Sequence, residues 1–223
     1  MMPSKEKSMT CRQRCIYPKN RSSKRQSGTS ENRLHTTPKQ RYSTGPSGYG
    51  RGTKLRLKRG LYVTSDALER NNLPLGCIAN RLYGPSYVSF AYALELYGLI
   101  PEHVPHVTSA TCNKRHTRRF DTPICTFFYR DIPVEAFHRD VVFREESNAR
   151  YLIASPEKAL CDELSTISSI RSVRSIEALL TEDLRIDGDE LRKIEASAVA
   201  ELAPYYRSAT VESFSRYLTK RFS

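Results

Sequence analysis

The most apolar stretch of the chain is RLYGPSYVSFAYALELYGLIPE, residues 81–102. Within Tyr87–Tyr97 nearly every side chain is apolar, and Glu95 is the one charged residue. A helix that is apolar on all sides belongs in the core of a domain. Ser86 is the expected N-cap, and Gly98 is the expected left-handed residue that follows the helix. The pattern therefore predicts a buried central helix against which the other segments pack.

A two-residue period precedes this stretch, in RGTKLRLKRGLYV at residues 51–63. Leucines alternate with basic residues as far as Arg59-Gly60, after which Leu61 and Val63 resume the alternation. Such alternation around a turn predicts a β-hairpin with one apolar face and one cationic face. The cations are candidate contacts for DNA phosphates, and the alternative is a solvated strand edge whose charge discourages strand pairing. The candidate DNA-binding residues are Lys54, Arg56, Lys58 and Arg59.

Helix and strand patterns alternate between the hairpin and residue 153. Residues 75–83 place apolar side chains at helical spacing and predict an amphipathic helix. His106–Thr111 is predicted to be a β-branched strand, and Phe120–Asp131 to contain the strand that returns beside it. Two further short strands are predicted at residues 141–143 and 149–153. Helices and strands are thus mixed within this part of the chain.

The polar turn between residues 111 and 120 concentrates positive charge in a part of the chain that is otherwise nearly neutral. Two interpretations remain open, a surface that contacts a partner and the solvated tip of a hairpin. The candidate contact residues are Lys114, Arg115, Arg118 and Arg119.

The last third of the chain is predicted to be mainly helical. Ser155 can cap a helix whose first residue is Pro156, a position that favours proline. A further helix is predicted from the capping sequence at Asp187 as far as Leu202, and a last one reaches Phe222. The fold class is therefore expected to be α+β.

Charge divides the chain into two parts. Residues 1–59 contain 16 Lys and Arg against 2 Asp and Glu, whereas residues 60–223 contain 20 against 22. Only the basic part is suited to a polyanionic partner. Residues 1–50 have hardly any aliphatic side chains, so burial cannot offset the entropy lost on ordering them, and we expect them to be disordered. The expected organisation is a disordered basic head (1–50), a wing-like hairpin (51–65) and a mixed α/β domain with a helical tail (66–223).

The sequence also predicts a compartment. No apolar run is long enough to cross a membrane, and the N-terminal residues lack the apolar core of a secretory signal. Six cysteines are scattered without a disulfide framework, as expected of reduced thiols. We expect a cytoplasmic protein that makes no membrane contact.

Catalytic chemistry has little support in the sequence. Glycine-rich phosphate-binding loops are absent. Cys161-Asp162 could pair with a histidine in space, but a cysteine inside a helix is usually unreactive packing. Cys11 and Cys15 with His35 lack the second ligand pair that zinc spacing requires. Carboxylates for a metal-dependent nuclease, among them Asp121 and Asp162, follow no recognised spacing. We therefore expect no enzyme activity, no metal site and no cofactor.

Six blocks of the sequence, taken in order, resemble the AbiEi antitoxin family of type IV (abortive infection) toxin–antitoxin systems. The most specific are GPSYVSFAYALELYGLIPE (84–102) and ASPEKALCDEL (154–164). The others are LRLKRGLYV (55–63), IANRLY (78–83), VTSAT (107–111) and RRFDTPICTFFYR (118–130).

The resemblance implies a two-part protein. An N-terminal winged helix-turn-helix would bind inverted repeats in its own promoter, with LRLKRGLYV as the wing. A C-terminal domain would neutralise a cognate AbiEii-like nucleotidyltransferase toxin. Here the residues before the wing are QRYSTGPSGYGRGT (40–53), too rich in glycine and proline for a recognition helix.

The sequence thus predicts a non-catalytic antitoxin that acts through a surface, with the hairpin cations and the cationic turn as candidate contacts. Sequence-specific promoter binding lacks its helix. The principal alternative is a nucleic-acid-binding protein whose basic head acts without sequence preference. A metal-dependent nuclease is the third hypothesis.

Overall fold

The computed structural model describes residues 54–64, 67 and 73–222. The predicted disordered head and the Cys11, Cys15 and His35 group lie outside the described residues. The rest is α+β, as the sequence predicts: a two-stranded sheet and a six-stranded sheet are combined with helices.

The structure gives the following bounds. The strands are β1 (Lys54–Lys58), β2 (Leu61–Thr64), β3 (Tyr87–Val88), β4 (His106–Thr111), β5 (Arg118–Asp121), β6 (Thr126–Asp131), β7 (Val141–Glu146) and β8 (Ala149–Ala154). The helices are α1 (Leu75–Leu82), α2 (Phe90–Leu96), α3 (Val134–Phe137), α4 (Pro156–Ser165), α5 (Val173–Ala178) with a π-helical continuation (Leu179–Asp183), α6 (Gly188–Leu191), α7 (Ala196–Tyr206) and α8 (Ala209–Phe222).

The predicted hairpin is confirmed. β1 pairs with β2 antiparallel, and Gly60 at the turn has φ +86°, a conformation that costs glycine little. Val63 is buried, and Leu57 and Leu61 pack against the core, whereas the basic residues of β1 are exposed. The alternation in the sequence therefore directs the leucines inward and the charges outward, as the two-residue period requires.

The central apolar stretch is not one helix from residue 87 onward, and this prediction was wrong. Tyr87–Val88 is a short buried strand, and the helix begins only at Phe90. Ser86 does not cap it; the hydroxyl of Ser86 is buried without a hydrogen-bond partner among the described residues. A run that is apolar on every side suits a doubly buried strand as well as a helix, so its periodicity could not separate the two.

The end of the central helix is as predicted. Gly98 has φ +72°, its N–H donates to the carbonyl of Glu95 at 2.8 Å, and the N–H of Leu99 donates to the carbonyl of Leu94 at 2.9 Å. This pair of hydrogen bonds is the Schellman arrangement, which satisfies carbonyls that the helix end would leave unpaired.

The six-stranded sheet has the order β5-β6-β4-β3-β8-β7. The return strand was predicted to run back beside His106–Thr111, but β6 lies parallel to β4, with His106 opposite Thr126 and Thr111 opposite Asp131. β5 instead pairs antiparallel with β6 at the edge of the sheet. The cationic segment between β4 and β5 is thus part of a crossover connection and not the tip of a hairpin.

Asn80 of α1 takes the place of a strand residue in this sheet. β3 is too short to cover the full length of β8, and the N–H of Leu152 in β8 would have no strand partner on that side. The side chain of Asn80 accepts from the N–H of Leu152 at 2.7 Å and donates to its carbonyl at 3.4 Å. The pairing fixes α1 against the sheet, because a buried backbone group without a partner is costly.

The helical tail departs from the prediction in one place. Ser155 caps α4 as expected, accepting from the N–H of Lys158 at 3.1 Å. Asp187 caps α6 by accepting from the N–H of Asp189, but α6 ends at Leu191 and α7 begins separately at Ala196. The predicted single helix from Asp187 to Leu202 is therefore two helices.

Gly76 to alanine is expected to destabilise the domain by about 1–3 kcal/mol, the usual cost of an overpacked site. A Cβ at Gly76 would lie closer than 3.0 Å to three ring carbons of Tyr151, and this ring is buried. Gly188 is the matched control, because nothing lies within 4 Å of the Cβ position there. Urea unfolding should give a lower midpoint for Gly76→Ala and an unchanged or higher midpoint for Gly188→Ala. Equal stability of both variants would contradict the close packing of α1.

Candidate functional site

The cationic hairpin and the cationic turn meet on one surface of the protein. Lys58 of β1 donates its Nζ to the carbonyl oxygen of Leu82 at 3.0 Å. Lys114 donates its Nζ to the carbonyl oxygen of Gly84 at 3.3 Å. The two lysines are thus anchored two residues apart, Lys58 at the last residue of α1 and Lys114 on the segment that links α1 to β3.

Two aromatic rings lie between these lysines. The Nζ of Lys114 is 5.3 Å from the ring centroid of Tyr83, and the Nζ of Lys58 is 5.5 Å from that of Phe120. The ring centroids of Tyr83 and Phe120 are 5.6 Å apart in a tilted contact, and both rings contact the buried ring of Tyr129 edge-on. We call Lys58, Tyr83, Lys114 and Phe120 the lysine–aromatic surface.

A single carboxylate holds the turn that carries Lys114. Asp131 Oδ2 accepts from the backbone N–H groups of Lys114 at 2.6 Å and Arg115 at 2.7 Å, and its Oδ1 accepts from the hydroxyl of Thr111 at 2.7 Å. Arg115 has φ +65°, a conformation that costs a non-glycine residue energy and that surrounding contacts must stabilise. The turn is therefore fixed by the end of β6 and is not a free loop.

The four turn cations do not all join this surface. Arg118 and Arg119 lie in β5, where Arg118 is opposite Tyr129 and Arg119 is opposite Phe128. Neighbouring residues of a strand point to opposite faces, so Arg118 shares the face of Phe120 and Arg119 does not. Arg119 instead donates to Asp121 at 2.9 Å, and this hydrogen bond lowers the pKa of the Asp121 carboxyl.

The remaining hairpin candidates, Lys54, Arg56 and Arg59, are exposed on the hairpin itself. Of the eight predicted site residues, the structure therefore brings Lys58 and Lys114 together, places Arg118 on the same face and separates Arg119. Sequence reasoning missed the aromatic partners Tyr83 and Phe120 and the anchoring Asp131. Their roles depend on pairing between strands distant in sequence, for which the chain carries no local signal.

A second group of polar residues lies in the core. Lys158 of α4 is fully buried, and its Nζ donates to the carbonyl of Ala136 at 2.9 Å and to the hydroxyl oxygen of Tyr206 at 2.8 Å. Its ion-pair partner is Asp162, one helical turn later, with Nζ 3.4 Å from Oδ1. Both side chains have no exposed surface.

Asp162 is the centre of this buried network. It accepts from the hydroxyls of Ser89 at 2.6 Å, Tyr87 at 3.0 Å and Tyr206. Burial, followed by the nearby Asp162 carboxylate, raises the pKa of the Tyr87 hydroxyl, so it stays a donor at neutral pH. Every donor that the described residues supply to Asp162 comes from the core, so the carboxylate is enclosed by its own partners.

The hypothesis of a reactive cysteine at Cys161 has no support in the described part of the chain. Burial raises the pKa of the Cys161 thiol, which keeps it protonated and unreactive. Three histidines in this part of the chain were possible partners for Cys161, and each has another neighbour. His103 binds Glu95, His106 contacts the ring of Phe128 and His138 contacts that of Phe137. The nuclease carboxylates are likewise dispersed, with Asp121 paired to Arg119 and Asp162 in the core.

Within residues 54–64, 67 and 73–222, no group of three or more His, Cys, Asp or Glu side chains is placed to hold a metal ion. The helices of the same ranges include none that combines the length and apolar character needed to cross a membrane. No protein-family model matches the chain, and a search of curated proteins gives no match either.

Proposed function

We propose that this chain is an antitoxin of the AbiEi type, which neutralises a cognate nucleotidyltransferase-like toxin in the cytoplasm through a surface and without catalysis. One observation carries the proposal. The two sequence blocks with the most specific resemblance, 84–102 and 154–164, are far apart in the chain, yet Tyr87 and Ser89 of the first both donate to Asp162 of the second. The two blocks therefore contribute to one core, as a fold shared with that family would require, and this supports the proposal.

The chemistry of the described residues supports a binding role. The titratable groups with the strongest burial are enclosed by their own partners, as Lys158 and Asp162 are. The hairpin and β5 are among the segments whose cations are exposed to solvent. Exposed basic side chains beside aromatic rings are suited to an acidic partner surface or to nucleic-acid phosphates. The lysine–aromatic surface is the proposed contact with the toxin or with the substrate that the toxin attacks.

The hairpin favours a second candidate function, in which the chain binds nucleic acid without sequence preference. Lys54, Arg56 and Arg59 are exposed on the hairpin. Residues 1–59, which end at the hairpin turn, contain 16 of the chain's 36 basic residues. A basic segment of this kind binds phosphates by releasing counterions, so its affinity falls steeply with salt. Promoter autorepression would require the helix-turn-helix, for which residues 40–53 offer no helical sequence.

Co-expression tests the antitoxin proposal. The full-length chain and its proposed cognate, a nucleotidyltransferase-like toxin, would be induced separately in the same cells. We expect toxin induction alone to stop growth, and expression of this chain to restore colony counts by at least about tenfold. A soluble full-length chain that gives no rescue would show that the antitoxin proposal is wrong.

A further inference from the structure

β7 is the edge strand of the six-stranded sheet opposite to β5. Two of the largest exposed apolar side chains of the described residues lie on it, Val142 at 43% and Phe143 at 64% exposure. The strand contains six residues and neither glycine nor proline. Natural sheets usually protect such an edge, because its free backbone groups can pair with another strand. β7 is therefore unusual in combining a regular free edge with exposed apolar side chains.

The hydrogen bonding of β8 shows which backbone groups of β7 point outward. Phe143 is opposite Leu152, whose N–H and carbonyl are both bound to Asn80 on the other side of β8. In an antiparallel pair, a residue that turns its backbone groups away from its neighbour belongs to a non-hydrogen-bonded pair. The N–H and carbonyl of Phe143 therefore point away from β8, toward the open edge.

A second contact gives the same alternation. The N–H of Ser155 donates to the carbonyl of Asp140 at 2.9 Å, so the hydrogen-bonded positions of β7 are the even-numbered ones. The outward positions are then Val141, Phe143 and Glu145. The described part of the chain supplies no hydrogen-bond partner for their outward backbone groups.

We propose that β7 pairs antiparallel with β7 of a second copy of this chain, on a two-fold axis that passes beside Phe143. In this register Phe143 faces Phe143 of the other copy, and Val141 faces Glu145. Every outward N–H and carbonyl of the strand then has a partner, and the two exposed rings cover each other. The two six-stranded sheets become one continuous sheet.

Pairing of the outward backbone groups selects this register among the symmetric alternatives. Shifting the axis to Arg144 would place Arg144 opposite its own copy, and shifting it to Glu145 would do the same with Glu145. Like charges directly opposite each other destabilise a strand pair. An axis at Val142 would leave the outward groups of Glu145 opposite residue 139, which lies before the strand begins. Only the axis at Phe143 pairs all the outward positions of β7 with one another, and its like-charge contact, Glu146 opposite Asp140, lies at the end of the strand.

A cysteine at position 143 tests the register directly. Residues that face each other in a hydrogen-bonded pair have Cα atoms about 5.5 Å apart, within the range of about 4.4–6.8 Å that a disulfide spans. We expect the full-length Phe143→Cys variant to form a covalent dimer under mild oxidation. Val134→Cys is the matched control, with a similarly exposed site at 44% on α3, and it should give no more dimer than the unmodified chain, whose own cysteines set the background.

Sedimentation equilibrium of the full-length chain tests whether the dimer exists in solution. High ionic strength would be used, because salt removes nucleic acid from the basic segment. We expect a concentration-dependent dimer that Phe143→Lys weakens by at least tenfold and that Val134→Lys leaves unchanged. The proposal is overturned if the chain stays monomeric up to its solubility limit, or if the Phe143→Lys variant associates as tightly as the parent. Equal disulfide crosslinking at positions 143 and 134 would also overturn it.

Discussion

Replacing Lys158 by methionine is expected to lower the free energy of unfolding by about 3–5 kcal/mol, the usual cost of removing one partner of a buried ion pair. Methionine has similar length, so packing changes little. The cost arises because the Asp162 carboxylate, which has no exposed surface, would lose its only cationic partner among the described residues. Tyr206 and the carbonyl of Ala136 would also lose a donor at 2.8 and 2.9 Å.

The exposed ion pair of Arg192 with Asp189 provides the control. Their side chains are 68% and 78% exposed, and solvent screens such a pair, so Arg192→Met should cost only about 0–1 kcal/mol. Adding Asp162→Asn to Lys158→Met should recover part of the lost unfolding free energy, because the uncompensated carboxylate charge at position 162 is then removed. Urea unfolding measures all three variants. A Lys158→Met chain as stable as the Arg192→Met chain would show that the Lys158–Asp162 pair does not hold the core.

Reversing the charge of Lys114, Arg115, Arg118 and Arg119 to glutamate should abolish most of the rescue of toxin-expressing cells, by at least about tenfold in colony count. If the partner surface is acidic, each reversal replaces an attraction by a repulsion, and opposed like charges at an interface cost several kcal/mol. The change should not unfold the domain, because Arg115, Arg118 and Arg119 are exposed and Lys114 is only partly buried.

The structure provides a matched control within this set. Lys114 lies over Tyr83 and Arg118 is on the same face of β5 as Phe120, whereas Arg119 is on the other face and bound to Asp121. Lys114→Glu with Arg118→Glu should therefore reproduce most of the loss, and Arg119→Gln should retain rescue. Circular dichroism and the unfolding midpoint check that each variant is folded. Full rescue by the quadruple variant would show that the cationic turn is a solvated segment and does not contact a partner.

The local parts of the fold could be predicted from the sequence. The hairpin follows from a two-residue period around Arg59-Gly60, and the end of α2 follows from the left-handed conformation of Gly98. The start of α4 follows from Ser155 and Pro156. Each of these signals lies within a few residues and acts through backbone conformation or one hydrogen bond, so tertiary context had little opportunity to override it.

The failures have a common physical cause. Tyr87–Val88 is a strand because it fills the centre of a sheet between β4 and β8, and its apolar sequence suits a helix equally well. β6 runs parallel to β4 because the chain first passes through the edge strand β5, which is antiparallel to β6. The sequence pattern of β6 would suit either direction. Contacts between distant segments decide both features.

The site was predicted as two separate cationic segments and is partly one surface. Both segments were recognisable from their charge, but the convergence of Lys58 and Lys114 on residues 82–84 depends on how α1 packs against the sheet. That packing is set by Asn80 and by the contact between Gly76 and Tyr151, which carry no signature in the sequence. Residue type therefore indicated the candidates, and tertiary structure selected among them.

The most direct test of the central claim, that the folded body and not the basic head neutralises the toxin, is rescue by the chain without residues 1–50. Colony counts after toxin induction would be compared for the full-length and shortened chains at matched soluble expression. We expect equal rescue, because the lysine–aromatic surface and the Lys158–Asp162 core both lie beyond residue 50. If the full-length chain rescues the cells and the chain without residues 1–50 does not, the central claim is contradicted. That result would favour a nucleic-acid-binding protein that acts through its basic head.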